Sequence, residues 1–397
     1  MSKFDTETII VGGGAAGMNC AYGLRKEKRP YTLICDRMGG RIMYDPEQDM
    51  NYGAVFYFGS YNHMLSSKIL TPGDDVLPSL RQGCCHPDDE KQFAAISAHT
   101  LLHGGSLLKF MRYMKKEFLH RYDRFKKECE TREFASVLKD DPFISDLFYK
   151  TADKMIEEVG FQKIADDLVS LFAHGCTGTP IRKLSALDYL NCVQGLVMDL
   201  KRFRFEADRI TRELSEYNGQ VVFDMVTAVE RIPGGWSVTT EKGRKFTAQN
   251  LVMATPADVT RDLLAKVEEV KPLKIRNASV LHAYLIKGEM KARYRNHIVH
   301  IFGDSIPIIF TARKRPGIYE IFTEIPFDKH FHKYFDEWKV IGHKHHQHAL
   351  FTNPNLVLPQ NLAPGLIMAG DHNALGMEPA AISGVYAANK ILGRTQD

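Results

Sequence analysis

Six residues near the start of the chain, Gly12-Gly13-Gly14-Ala15-Ala16-Gly17, have the G-x-G-x-x-G spacing of a backbone that wraps a pyrophosphate. Gly12 permits the tight turn, Gly14 lets the main chain approach the phosphates, and Gly17 lets the following helix press on the preceding strand. Ala15 and Ala16 begin that helix, whose unpaired N–H groups and partial positive charge face the anion. Asp36 follows at the spacing of a carboxylate that grips an adenosine ribose. The chemistry implied is the binding of a dinucleotide.

Other reactive groups are less eloquent. His343, His345, His346 and His348, with His330 and His332, invite a metal, but no acidic residue or cysteine completes a ligand spacing. They are expected to be solvated on a polar strand, with no metal. Cys84-Cys85-His86 has no visible thiol partner, and adjacent cysteines do not readily bridge.

The elements that must position the cradle are readable. Thr8 to Val11 is a β-branched strand, Met18 to Arg25 a helix and Tyr31 to Cys35 a second strand ending at Asp36. A strand-rich stretch from Gln220 to Pro256 turns at Gly234-Gly235 and at Gly243, and the last ~35 residues hold a buried strand and a small-residue helix. Between these lies a helical region. Ser106 is expected to cap a helix whose apolar face is Leu107, Phe110, Met114, Phe118, Tyr122 and Phe125, with Lys115, Lys116, Arg121 and Arg124 on the solvated side. Further helix is expected over Ile156 to Phe172 and Leu184 to Leu200, and strands over Val280 to Ile286, His297 to Phe302, Ile306 to Thr311 and Ile318 to Phe322.

At 397 residues and 44% hydrophobic, the chain is long enough for two cores. A formal charge of +4, from 52 basic and 48 acidic side chains, is too small and dispersed to point to nucleic acid or an anionic membrane. A small-molecule substrate is expected, with no nucleic-acid partner and no integral membrane segment; a homodimer stays open. The seven cysteines form no C-x-x-C pair and end at Cys192, as expected of reduced thiols in a cytoplasmic protein. The first apolar run breaks into glycine too early for a secretory segment.

Beyond Asp36 the chain resembles the flavin-containing amine oxidase superfamily. Arg37-Met38-Gly39-Gly40-Arg41 is similar to its second flavin motif, Asn51-Tyr52-Gly53-Ala54 to its acidic-x-Gly-Ala segment, and Val252-Met253-Ala254-Thr255-Pro256 to the close of its β-meander. At the C-terminal end, Gly370-Asp371 and Gly376-Met377-Glu378-Pro379-Ala380 resemble the strand end and helix start that hold the ribityl arm and the pyrimidine ring. The resemblance covers about a quarter of the chain at motif level. It implies an α/β fold with a Rossmann-like FAD-binding domain of the amine-oxidase type (residues 1–58, 216–257 and 360–397). A mixed α+β substrate-binding domain with a helical subdomain (59–215 and 258–359) would interrupt it. It also implies a cofactor site of Gly12, Gly14, Ala15, Ala16, Gly17, Asp36, Arg37, Gly40, Arg41, Gly53, Ala54, Val226, Ala254, Gly370, Asp371, Met377 and Ala380.

Four departures shape the expected chemistry. No cysteine follows Cys192, so FAD is expected to be non-covalent. Gly376 stands where amine oxidases place an aromatic, and His282 stands where they place a flavin-facing lysine; His282 is the expected catalytic group, holding a water or shuttling a proton. The Asp36–Gly39 loop is shorter than the family norm, which leaves the role of Arg37 open. The resemblance implies flavin-mediated dehydrogenation, with an amine or amino acid favoured as substrate and oxygen or another acceptor re-oxidising the flavin. Desaturase, porphyrinogen-oxidase-like or isomerase chemistry at a C–C bond is the alternative, and a non-catalytic flavin-binding regulatory protein is the reading from another class.

Overall fold

The computed structural model describes residues 4–275, 278–351 and 356–396. The opening β-branched run lies in the middle of an eight-stranded sheet. Its strands are β1 (Thr6–Val11), β2 (Tyr31–Cys35), β3 (Gly219–Phe223), β4 (Val226–Ile232), β5 (Gly235–Thr240), β6 (Lys245–Met253), β7 (Asn361–Ala363) and β8 (Leu366–Met368). The order is β3-β2-β1-β6-β5-β4, with β8 also on β6 and β7 on β8. The strands β3, β2, β1, β6 and β8 pair in parallel, while β4, β5 and the start of β6 form an antiparallel meander.

Parallel strands covered on both faces need apolar residues on both, and this explains the uninterrupted runs. Ile10, Leu33, Val252 and Ile367 face a helical layer of α1 (Ala15–Lys26) and α2 (Met377–Ile391), whereas Ile9, Ile34, Leu251 and Leu366 face the meander. The two helices meet almost backbone to backbone, since a Cβ on Gly384 would lie 2.0 Å from the Ala16 carbonyl oxygen.

A seven-stranded sheet forms the second body. Its order is Phe335–Leu350, Ser279–Met290, Ile318–Thr323, Ile308–Arg315, Val299–Phe302, Gly83–His86 and Phe93–Ala94. The Ser170–Thr177 helix packs against its Val299–Phe302 and Ile308–Arg315 strands. The expected fold class, a Rossmann-like domain interrupted by mixed α+β structure, is the observed one.

Local expectations needed three corrections. The helix around Ser106 spans Gly104–Tyr113 with His103 at its cap; the Ser106 hydroxyl instead accepts the Ile164 N–H at 3.2 Å, tying two helices together. Its apolar stripe is buried from Phe110 to Phe125, through a π-helical turn at Met114–Phe118. The helix expected over Ile156–Phe172 is split at Gly160, whose φ of +78° ends one segment in a left-handed cap. The one expected over Leu184–Leu200 stops at Cys192 and gives way to the strand Leu200–Arg204, which pairs with Phe56–Phe58.

Candidate cofactor and active site

The cradle lies at the carboxyl ends of the parallel strands, where open α/β sheets bind ligands. A side chain on Gly12 (φ +114°) would come within 2.4 Å of the Ala254 oxygen, and one on Gly17 within 1.9 Å of the Gly12 oxygen. Gly14 is the opposite case, because a Cβ there would meet nothing within 4 Å. The helix α1 that follows carries no side-chain cap and no acid in its first turn, so its leading N–H groups are free of competing anions. The second glycine motif lies over the first: Gly39 N–H donates to Gly13 O at 2.8 Å, and a Cβ on Gly40 would sit 3.0 Å from the Gly14 Cα. Asp36 and Arg37 leave the end of β2 exposed, and buried Val226 begins β4 just past the Asp224 N–H that donates to Cys35 O. Ala254 donates its N–H to Val11 O at 2.8 Å, which places it against the same turn.

Arg41 and Asp371, distant in sequence, form a fork. Nη1 and Nη2 of Arg41 donate to the two Asp371 oxygens at 2.9 and 2.5 Å, and Nη1 also reaches Ala349 O at 2.8 Å. Burial works against the Arg41 charge, but the Asp371 carboxylate more than offsets it and holds the guanidinium above its ordinary range. The fork also cancels a buried negative charge beside the cradle. Gly370, just before Asp371, donates its N–H to Ser383 of α2 at 3.1 Å.

The N-terminus of α2 is held from below. Gly376 (φ +120°) leads into Met377 without a capping side chain, and Ala380 is buried one turn on. Glu378, also buried, accepts the His63 N–H, His63 Nδ1–H and Met64 N–H at 2.7, 2.8 and 3.2 Å. Burial disfavours a charged His63, yet hydrogen bonds to Glu130 and Glu378 push its pKa up to about 9. Leu375 is fixed as well, its N–H donating to Asp188 Oδ1 at 2.9 Å and its carbonyl accepting from Asn191 at 2.7 Å.

Gly53 and Ala54 pass directly beneath Arg41. A Cβ on Gly53 would be 1.9 Å from Arg41 O, and Ala54 N–H donates to that oxygen at 3.1 Å. Strand alternation decides what faces this segment. Leu281, Ala283 and Leu285 pack with Met50, Tyr52 and Val55, so His282 stands on the far face of the sheet. There its ring stacks 4.6 Å from His345 and 5.4 Å from His343, and its pKa falls through burial and those neighbours. The structure therefore does not bring His282 to the other expected site residues.

A histidine of the run that does approach them is His346, opposite Leu281 in the strand pairing. Its Nε2–H donates to Tyr52 O at 2.7 Å. Burial lowers its pKa, against the pull of the Tyr52 carbonyl, and the nearby Arg37 and Arg41 charges lower it further. The sequence shows His346 only as one of a run, because its role depends on a register between distant strands. Among the described residues the groups close enough to hold an ion are Cys84, His86 and His300, and His99, His103 and Asp167; His346 belongs to neither.

Beyond Ala54 lies a small, partly open apolar cavity of about 40 Å³, walled by Val55, Phe56, Phe172, Leu200, Ile301 and Phe310. One charged residue lines it, Arg202, whose Nη1 is bound to both oxygens of fully buried Glu320 at 2.9 and 3.1 Å. Lys314 adds a second cation to that carboxylate at 3.1 Å.

The NAD(P)-binding Rossmann-like domain family matches residues 10–67, from β1 through Gly53-Ala54. The whole chain superposes on the whole of the CLA-producing fatty acid isomerase from P. acnes, with a TM-score of 0.69 at 14% identity. It also superposes on putrescine oxidase bound to putrescine, over 98% of this chain and 99% of that one, with a TM-score of 0.62 at 14% identity. The chain thus shares one fold with both of these proteins. A Pyrococcus furiosus protein shares it over 98% of both chains, at a TM-score of 0.57 and 14% identity. No curated protein sequence matches the chain.

Proposed function

We propose that this chain is an FAD-dependent oxidoreductase, binding FAD non-covalently and acting on a mostly apolar organic substrate in the cavity beyond Ala54. The observation that carries the first part is the open space at Gly14, roofed by Gly39-Gly40 and faced by an uncapped helix terminus. These residues fit a dinucleotide pyrophosphate, and no side chain competes for the place. Gly12, Ala15, Ala16 and Gly17 would shape the cradle, Asp36 and Val226 would meet the adenosine end, and Arg37, Gly40, Arg41, Gly370 and Asp371 would border the connecting arm. Ala254 would back the cradle at the Gly12 turn, and Gly53, Ala54, Met377 and Ala380 would surround the ring system. Residues 1–58, 216–257 and 360–397 would then form the FAD-binding domain, and 59–215 with 258–359 the substrate domain.

When bound, FAD supplies hydride transfer at its ring. The chain's own contribution is placement and exclusion. The positive end of α2 favours negative charge beside Met377, while the apolar walls from Val55 to Phe310 keep water out. His346, kept neutral and tied to the Tyr52 carbonyl, fixes the Gly53-Ala54 segment.

The cavity bears on the substrate. No carboxylate lines it, and Glu320 behind it is engaged by Arg202 and Lys314, so a substrate ammonium has no acceptor there. With Gly376 supplying no aromatic wall, these features favour C–C bond chemistry, dehydrogenation or isomerisation, over the amine oxidation expected from sequence. A dehydrogenation needs oxygen or another acceptor to restore the flavin, whereas an isomerisation needs none. Anaerobic mixing of the FAD-loaded protein with unsaturated fatty acids, polyenes, amines and amino acids tests this. Bleaching of the flavin, or an altered double bond, with the apolar set supports the proposal; bleaching by amines alone overturns its substrate class.

A further inference from the structure

The most exposed large aliphatic side chains among the described residues stand together in one short segment: Ile96 at 60%, Leu101 at 70%, Leu102 at 82% and Leu108 at 70%. Single exposed leucines are ordinary, but a group of them is costly in water and marks a surface that something covers. The segment is built rather than loose. Ser97 and Thr100 form a reciprocal capping box over the short Ala98–Leu101 helix. His99 and His103 both reach Asp167 Oδ2, at 2.9 and 3.0 Å, and clamp the segment to the body.

Charge says what the cover is. Lys109, Arg112, Lys115 and Lys116 are all exposed, and among the described residues none of them has an ion-pair partner. Spacings of three and four from Leu108 through Arg112 to Lys115 and Lys116 set them along the outward side of the same helical run. The next arginines are neutralised, Arg121 by Glu117 at 3.1 Å and Arg124 by Asp141 at 3.4 Å. The small net charge of +4 thus conceals a local collar of unpaired cations behind an apolar tip.

We propose that residues 96–116 dock the protein on an anionic lipid bilayer, with Ile96, Leu101, Leu102 and Leu108 entering the acyl boundary and the four cations meeting headgroups. A second copy of the chain is the poorer occupant, because a two-fold interface would set the collar against its own like charges. The platform also adjoins the cavity. Phe93 and Ala95, which lead into Ile96, pack in the same apolar cluster as the cavity-lining residues Leu80, Val299, Ile301 and Phe310. A lipid-derived substrate would reach that cavity by a short route; this last point rests on the proposed function, and the docking does not.

Sedimentation of the purified protein with vesicles of phosphatidylcholine, alone or mixed with phosphatidylserine, tests the docking. Binding is expected to the mixed vesicles, weakening at high salt. Leu101→Glu with Leu102→Glu should weaken it at least ~10-fold, and Lys115→Glu with Lys116→Glu should remove the preference for phosphatidylserine. Thermal melts matching the parent establish that these surface variants are folded. Absence of binding to either vesicle, binding indifferent to both pairs of changes, or a dimer in light scattering that Leu101→Glu dissociates would each overturn the proposal. Loss of flavin or of activity leaves this readout untouched.

Discussion

Replacing Gly14 by alanine separates the fold from the cofactor more sharply than any other single change. Gly14 has φ −79° and ψ −172°, a region open to alanine, and the added methyl would meet no atom within 4 Å. Alanine is a poorer helix N-cap than glycine by something under ~1 kcal/mol, and stiffening the unfolded chain returns ~0.4–1 kcal/mol. The folded protein should therefore keep its stability to within ~1 kcal/mol. The methyl would, however, occupy the approach of a pyrophosphate to the α1 N–H groups. Losing one or two charge-assisted hydrogen bonds costs ~2–5 kcal/mol, a fall in FAD affinity of roughly 30-fold to a few thousand-fold. Titration of apoprotein with FAD by fluorescence quenching gives the affinity, and circular dichroism melts of the apoprotein give the stability. An affinity within ~3-fold of the parent would refute the cradle, and a marked loss of apoprotein stability would refute the open-space argument.

Gly384→Ala should show the reverse balance: its Cβ would meet the Ala16 oxygen at 2.0 Å, so the apoprotein should lose ~1–3 kcal/mol in denaturant melts despite the better helix propensity of alanine. Asp371→Ala leaves the Arg41 guanidinium without its fork, and a loss of ~2–4 kcal/mol of stability is expected in the same assay. The folded pKa of His63, about 9, lies above its ordinary 6.5, so the clamp on Glu378 is complete below pH 6.5 and fades as pH rises through 9. The stability gap between the parent and His63→Gln should thus be ~2–3 kcal/mol at pH 6 and largely gone at pH 10 in urea titrations. His282→Ala should leave FAD affinity and turnover essentially unchanged, whereas His346→Ala, which frees the Tyr52 carbonyl, should weaken FAD binding and slow turnover.

What could be read from sequence follows how local each signal is. The glycine spacing, the β-branched strand and the small-residue C-terminal helix report contacts with near neighbours or with backbone, and the turns at Gly12 and Gly17 have the close approaches that the motif requires. The partnership of Arg41 with Asp371 is not legible although each residue stands out singly, because the loop after β2 and the end of β8 meet only in the folded protein. The resemblance of one strand points to His282, but a strand's two faces alternate, and one residue of phase moves a side chain to the opposite surface. Finding His346 needed the pairing of Leu281 with His346 across more than sixty residues of chain, which no local pattern carries. The exposed group at Ile96 to Leu108 was unreadable for a similar reason, since an amphipathic pattern does not say which apolar residues find a partner.

The absorbance spectrum of the purified protein, before and after denaturation, tests the central claim most directly. Flavin bands in the native protein, or in the apoprotein reconstituted with FAD, and complete release of free FAD on denaturation are the predicted result. A colourless protein that cannot be reconstituted, or flavin that stays with the denatured chain, would contradict the account.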